Sequence, residues 1–177
     1  MSFILWVDSD SVPLKHREII LRRAMKKNIK TNFVADRTLK DVTEAMSEHS
    51  KLLRDPYRET LSKEELRNIK SSINMIVVES GSNAADDYIV EHAKAGQLCI
   101  THDIPLAARL VDKDVNVIDD RGNSFSKDNI KERLSIRNSM YIIREMGACP
   151  EKQKHFDLKT LEKFSNSFDR ALQFFNL

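Results

Sequence analysis

The chain has 177 residues, 41% of them hydrophobic and 32% charged, which suits one well-buried domain and is short for two. Its two cysteines, Cys99 and Cys149, have no CxxC spacing, which argues against a zinc site or a disulfide framework and fits a reducing compartment. The net charge of +2 conceals an acidic centre, because residues 1–78 carry +4, residues 79–120 carry −6 and residues 121–177 carry +4. Such a distribution suits a cation site beside a surface for polyanions.

The first elements alternate strand and helix. The apolar run at residues 3–7 predicts a buried strand, because it is too short for a membrane span and no basic residue precedes it as in a signal peptide. Pro13 then opens a helix that extends to about Asn28, and residues 31–35 predict a second strand. We therefore expect no membrane partner and a cytoplasmic location.

The middle of the sequence continues this alternation. Residues 37–72 are polar and helix-prone, and their weak amphipathic pattern predicts one or two helices. The turn Gly81-Ser82-Asn83 is typical of the start of a helix. Further patterns predict strands at 75–78, 98–101 and 115–118, and helices at 84–95 and 104–111.

The last third of the chain is helical. The capping pattern at Phe125-Ser126 predicts helical sequence in two pieces within residues 129–146, which Gly147 and Pro150 then end. Apolar residues at helical spacing between 157 and 175 predict a final helix that packs back on the domain.

The apolar runs of the predicted strands are continuous and do not alternate with polar residues. This pattern predicts an α/β fold in which helices cover both faces of a mostly parallel sheet of about five strands. We expect one α/β domain at residues 1–150, with a polar helical insert at about 37–72. A C-terminal helix within residues 151–177 is expected to pack on the same domain.

Acidic residues follow nearly every predicted strand. In a parallel sheet the carboxyl ends of the strands share one edge, and ligands bind in the crevice outside them where the strand order reverses. Asp112 and Asp114 fall in a helix-to-strand connection and belong to the opposite edge. The acids expected at the ligand-binding edge are Asp8, Asp10, Asp86, Asp87, Asp103, Asp119 and Asp120.

Several carboxylates at one edge would repel each other, and a divalent cation would remove the conflict. Oxygen ligands suit Mg²⁺ or Mn²⁺, which usually keep several waters and bind substrate phosphate oxygens. We expect Asp8, Asp86 and Asp103 to be the catalytic metal ligands. The second-tier ligands, or groups that orient water, are then Asp10, Asp119 and Asp120.

Each of these acids also has an ordinary structural role open to it. Asp103 is a good helix N-cap, Asp86 suits the N-terminus of a helix through the macrodipole, and Asp119-Asp120 fits a turn. Six further side chains are expected to bind substrate phosphate or metal-bound water, and an ordinary structural role is open to each of them too. They are Ser9, Ser11, Asn83, Thr101, His102 and Arg121.

Four strings of the sequence point to a family. The strings are WVDSDSVP at 6–13, THDIPLA at 101–107, Arg121-Gly122 and ERLSIR at 132–137. Through them the chain resembles the YaiI/YqxD family of bacterial proteins, which are similar to the PIN-like superfamily. The resemblance covers most of residues 3–150 and implies a three-layer α/β/α PIN-like fold and a metal-dependent nuclease activity, with Asp8, Asp10, Asp86 and Asp103 as the matching acids.

The chain departs from the family pattern at several positions. Val12 stands where the family usually has Cys, Asn83 where it has Asp, and Asp119-Asp120 where it has Asn-Pro. The loss of an acid at Asn83 and the gain of one or two at Asp119-Asp120 would leave the charge of a metal site similar.

We therefore predict a phosphodiesterase that uses Mg²⁺ or Mn²⁺ and acts on RNA or, less favoured, on DNA. One alternative is a HAD-like phosphatase, because Asp8-Ser9-Asp10 fits its DxD nucleophile motif, with Asp8 as nucleophile and Asp10 as general acid. Against it, Pro13 opens a helix where that fold needs a flap segment.

The other alternative is an RNA-binding module without catalysis, since the helix after Pro13 carries basic stripes. Those stripes are Lys15, Arg22, Lys26 and Arg23, Lys27, Lys30.

Overall fold

A computed structural model describes residues 3–81, 83–147 and 157–177. Ser82, Cys149 and Pro150, which entered the sequence predictions, lie outside these ranges. In chain order the elements are β1 (Leu5–Asp8), α1 (Leu14–Lys27), β2 (Thr31–Ala35), α2 (Lys40–Arg54), a 3₁₀ helix (Asp55–Tyr57), α3 (Lys63–Asn68), β3 (Ile73–Val77), α4 (Ala84–His92), β4 (Leu98–Ile100), α5 (Ile104–Asp112), β5 (Asn116–Ile118), β6 (Ser124–Phe125), α6 (Ile130–Glu145) and α7 (Leu158–Phe174).

The strands form one sheet in the order β3-β2-β1-β4-β5-β6. All neighbours pair in parallel except β5 and β6, which are antiparallel. This confirms the predicted α/β class and the mostly parallel sheet. β6 adds a sixth strand, which sequence periodicity misses because two residues are too short to show a pattern.

Alternate residues of the strands serve two separate cores. Leu5 and Val7 of β1 face a core shared with α1, α2 and α7, whereas Trp6 faces a second core. The second core contains residues of α4 and α5 and the first residue of α6, Ile130. The described residues therefore form three layers, with helices on both faces of the sheet, as the continuous apolar strands predicted.

Two segments differ from their predicted form. Residues 130–145 form one continuous helix, α6, where two pieces were expected. The polar segment at 37–72 contains α2, the 3₁₀ helix and α3, and the α2 residues Val42 and Ala45 are buried. No helix in the described ranges has the length and apolar character needed to cross a bilayer.

The final helix, α7, packs on α1 and on the loop after β5. Phe164, Phe168 and Leu172 are buried in the first core. Arg23 of α1 forms an ion pair with Asp169 at 2.9 Å. Its charge is therefore paired within the fold, which weakens the basic stripe on α1 to which Arg23 belongs.

Gly122 of the β5–β6 loop lies close to the backbone of α7. Its φ of +74° favours glycine, and an added Cβ would lie 2.7 Å from the backbone oxygen of Lys163. We expect Gly122→Ala to lower the free energy of unfolding by about 2 kcal/mol or more, since about 1 kcal/mol of backbone strain adds to overpacking against a helix backbone. Urea unfolding measures the difference.

Gly96→Ala is the matched control for this substitution. Gly96 has a similar φ of +78°, but no atom lies within 4 Å of an added Cβ, so only the backbone strain of about 1 kcal/mol applies. Equal losses in the two variants would contradict a close approach of α7 at Gly122.

Candidate functional site

The order of the sheet reverses between its two central strands, β1 and β4. From β1 the chain proceeds outward through β2 to β3, and from β4 it proceeds the other way through β5. Ligands of open α/β sheets bind in the crevice outside the carboxyl ends of the strands at this point. Asp8 ends β1 and Asp103 lies three residues after the end of β4, so both acids stand at the switch point.

A hydrogen-bond network joins the ends of these two strands. The Oδ2 atom of Asp8 accepts from the hydroxyls of Ser11 at 2.6 Å and of Thr101 at 2.7 Å. The same hydroxyls accept from backbone amides, since His102 N–H donates to Ser11 and Asp103 N–H to Thr101. Asp8, Ser11 and Thr101 therefore lock β1 against β4, and hydroxyl donors satisfy the buried Asp8 carboxylate.

Asp103 also begins a helix, as its sequence context predicted. Its Oδ1 atom accepts from the amide of Leu106 at 2.8 Å, which makes it the N-cap of α5. The cap fixes the orientation of the Asp103 carboxylate at the mouth of the crevice.

Asp86 reaches the same region from the first turn of α4, which crosses back over β2 and β1. Burial, followed by the negative charges of Asp8 and Asp103, raises the pKa of Asp86 from 3.8 to about 6, while Arg109 opposes the change. The three acids expected to be the principal ligands therefore share one electrostatic environment.

Asp86→Asn is expected to stabilise the protein above pH 6. Because the folded pKa lies above the unfolded value, the contribution of Asp86 to stability is present below about pH 3.8 and is lost as the pH rises through about 6. Above that range the ionised carboxylate destabilises the fold, and asparagine removes this cost. Since Asp86 is partly exposed to solvent, the gain at pH 7.5 is about 1 kcal/mol. Urea unfolding at a series of pH values from 5 to 7.5 measures it.

Asp87→Asn serves as the control for Asp86→Asn. Asp87 is exposed and pairs with Arg109 at 2.7 Å, so its replacement removes a surface charge without relieving a buried one. A pH-independent difference between Asp86→Asn and the wild type would contradict the electrostatic coupling of Asp86.

The acids after β5 have other partners. Asp119 is buried and accepts from the amides of Arg121 and Asn123 and from the Asn123 side chain, at 2.7 to 2.9 Å. Asp120 binds His102 Nδ1 at 2.6 Å. The hydrogen bond to Asp120 raises the pKa of His102. For Asp120, burial raises the pKa, but the hydrogen bond and the charge of His102 outweigh burial, so the pKa of Asp120 is lowered. Asp119 thus closes the turn its context predicted, and Asp120 orients His102.

Three remaining sequence candidates make their described side-chain contacts outside this network, or none. Asp10 accepts from the amide of Asp36 and from Arg37. Ser9 is buried, and its hydroxyl donates to the carbonyl of Val7. Asn83 is exposed at the start of α4 with a φ of 66°, and its side chain makes no capping bond.

The described residues contain no group of three His, Cys, Asp or Glu side chains arranged as metal ligands. The donor chemistry nevertheless fits Mg²⁺, because the acids at the switch point offer carboxylate oxygens and no nitrogen or sulfur. Mg²⁺ usually takes one or two protein carboxylates and completes its shell with water and substrate phosphate. A full set of three protein ligands is therefore not required.

A groove of about 660 Å³ extends from this carboxylate edge along α6. Asp103, Ser11 and His102 line one end, and Arg121 lies in the wall beside them. The other wall comes from one face of α6: Arg133, Arg137, Met140 and Arg144, with Ile136. The acidic edge thus opens directly onto a surface of four arginines.

The three arginines of α6 were not among the sequence candidates. Their spacing of four and seven residues places them on one helical face, which is the signal that was available. Division of α6 into two pieces at the sequence level concealed that face.

Comparisons with known proteins agree with the motifs. A family model described as Uncharacterized BCR, YaiI/YqxD family, matches residues 59–174. The UPF0178 protein of Treponema denticola is 36% identical over 168 residues, which are 95% of this chain and 90% of that protein. The UPF0178 protein of Syntrophobacter fumaroxidans is 34% identical, over 95% of this chain and 93% of that protein. The chain belongs to the YaiI/YqxD family, which confirms the resemblance seen in the sequence.

Proposed function

We propose that this protein is a divalent-metal-dependent phosphodiesterase that acts on RNA in preference to DNA. The observation that carries the proposal is the junction of two surfaces. A carboxylate edge at the β1–β4 switch point, with Asp8 and Asp103, opens into a groove walled by arginines. A phosphodiester needs both, because a cation must be held at the scissile phosphate while neighbouring phosphates are bound.

Asp8, Asp86 and Asp103 would hold Mg²⁺ or Mn²⁺, directly or through water. When bound, such a cation polarises the phosphoryl group and lowers the pKa of a coordinated water. The raised pKa of Asp86 supports this role, because the repulsion from Asp8 and Asp103 is what a cation would relieve.

The protein's own groups would position the substrate. Arg121, Arg133 and Arg137 offer planar guanidinium groups that can bind phosphate oxygens through two hydrogen bonds each. His102, held by Asp120, lies at the acidic end of the groove and would donate to a phosphate oxygen. Ser11 and Thr101 would keep Asp8 in place through their hydroxyls.

The phosphatase alternative has less support. Pro13 precedes α1, which begins at Leu14, so a helix follows the Asp8-Ser9-Asp10 string at once. Asp10, the general acid of that mechanism, bonds to the Asp36 amide and to Arg37.

The test incubates the purified protein with labelled RNA and DNA panels, with and without Mn²⁺. We expect cleavage of single-stranded RNA that requires the cation and is lost in Asp103→Asn. Arg137→Gln should weaken RNA binding, whereas Lys131→Gln, an exposed cation on the same helix outside the groove, should not. Cleavage that persists in EDTA, or that survives Asp103→Asn unchanged, would refute the proposal.

A further inference from the structure

A second basic surface lies in the 37–72 segment, away from the carboxylate edge. A cleft of about 470 Å³ is formed by the last turns of α2, the 3₁₀ helix with the residue after it, and α3; we call it the α2–α3 cleft. Five cationic side chains line it, against a single acid, Asp55. They are Lys51, Arg54, Arg58, Lys63 and Arg67.

None of these five cations forms an ion pair within residues 3–81, 83–147 and 157–177. Arg54 donates to the backbone carbonyl of Ile69 at 2.9 Å, which orders its guanidinium without neutralising it. Of the two acids in the first turn of α3, Glu65 completes a capping box with Ser62, and Glu64 does not line the cleft. The cleft therefore keeps a concentrated positive charge.

The arrangement of these charges is unfavourable for the isolated fold. Lys63 and Arg67 are four residues apart on α3, and like charges at this spacing destabilise a helix. Lys63 also occupies the first helical position, where the macrodipole favours an acid, and the acids Glu64 and Glu65 of the same turn lie outside the cleft lining. A bound polyanion would convert this repulsion into attraction, which is why the cleft is better explained by a ligand than by a solvated face.

The position of the cleft separates it from the carboxylate edge. α2 begins after the carboxyl end of β2, and its fifteen residues span about 22 Å towards the edge at which β3 begins. Tyr57, which is 50% exposed, lies beside the cleft on the 3₁₀ helix. Exposed aromatic rings beside cations are typical of surfaces that stack the bases of single-stranded nucleic acids.

We propose that the α2–α3 cleft binds the phosphate backbone of single-stranded RNA remote from the bond that is cut. The inference rests on the proposed function and extends it, because it gives the substrate a second point of attachment. A strand that occupies both surfaces must extend from the groove near β4 and β5 to the cleft that precedes β3, so the cleft selects for chains long enough to reach it.

Fluorescence anisotropy with a labelled single-stranded RNA tests the proposal. The measurement is made in EDTA over a salt series, so neither a cation nor cleavage enters the readout. The variant is Arg58→Gln with Lys63→Gln, which leaves the Arg54 bond to Ile69 intact. The control is Lys94→Gln with Lys159→Gln, two exposed cations outside both cavities. Circular dichroism checks that both variants fold.

The cleft variant is expected to bind RNA about tenfold more weakly at low salt, and the slope of log K against log salt should fall by about 1.4, because each lost phosphate contact contributes about 0.7. The control should match the wild type. Equal affinities and slopes in the two double variants would overturn the proposal. It would also be overturned if the cleft variant lost binding of tripolyphosphate but kept its affinity for RNA, since the occupant would then be a small polyphosphate.

Cleavage is followed separately with bis(p-nitrophenyl) phosphate, a diester too small to reach the cleft, in Mn²⁺. The cleft variant should cleave it as the wild type does. If the wild type cleaved neither this diester nor RNA, the proposed function would fail, and cleft-dependent RNA binding would still stand by its own measurement.

Discussion

Asp8→Asn is expected to lower Mn²⁺-dependent RNA cleavage about a thousandfold, because charge stabilisation at a metal site is worth several kcal/mol. Asparagine keeps the shape of the side chain and one oxygen that can accept from Ser11 or Thr101. The substitution therefore removes the charge of Asp8 with little change of packing. Single-turnover cleavage at saturating protein measures the chemical step.

Asp112→Asn is the matched control for Asp8→Asn. Asp112 ends α5 at the opposite edge of the sheet, so the same charge is removed away from the proposed site. We expect wild-type cleavage from this variant. Urea unfolding checks that Asp8→Asn remains folded, because the hydrogen bonds from Ser11 and Thr101 weaken when their acceptor loses its charge. Wild-type cleavage by Asp8→Asn would remove Asp8 from the chemistry.

Phe164→Ala is expected to cause the largest loss of stability. Phe164 of α7 is fully buried beside α1. The centre of its ring lies 5.9 Å from that of Phe168 and 4.9 Å from that of His16. Truncation of a buried phenylalanine costs about 3 to 5 kcal/mol through lost transfer energy and the cavity left behind. For a domain of this size we expect the melting temperature to fall by about 10 °C.

Phe174→Ala is the control on the same helix. Phe174 is 77% exposed, so its truncation should change the free energy of unfolding by less than about 0.5 kcal/mol. Urea and thermal unfolding of the two variants compare a buried and an exposed phenylalanine of α7. Similar losses in both, or none in either, would show that α7 does not bury Phe164 against the sheet.

We expect the arginine groove to determine the affinity for RNA and the carboxylate edge to determine the rate of cleavage. Substitution of Arg133 or Arg137 should change affinity and its salt dependence, because phosphate contacts release counterions. Substitution of Asp8 or Asp103 should change the rate at saturation. This division lets kinetic measurements separate the two surfaces even if the RNA is bound in several registers.

Much of the fold follows from local pattern. The second strand was predicted at residues 31–35 and lies there, and α1 begins after Pro13 and ends at Lys27, with Asn28 as its C-cap. These boundaries were readable because proline is favoured where a helix begins and asparagine tolerates the left-handed backbone conformation that ends one. Sequence pattern did not predict the two-residue strand β6 or the continuity of α6, since both depend on contacts with distant parts of the chain.

For the candidate site, the sequence by itself determined which acids follow strands, and a parallel sheet guarantees that strand exits share an edge. It did not determine what each carboxylate contacts. Tertiary structure decided that Asp8 is held by Ser11 and Thr101, that Asp119 closes a turn and that Asp120 faces His102. Only tertiary structure could set the arginines of α6 beside Asp103, because the packing of α6 against α5 joins residues some thirty positions apart. Periodicity is a property of neighbours in sequence, whereas a site is formed by hydrogen bonds and charges between residues that folding alone makes neighbours.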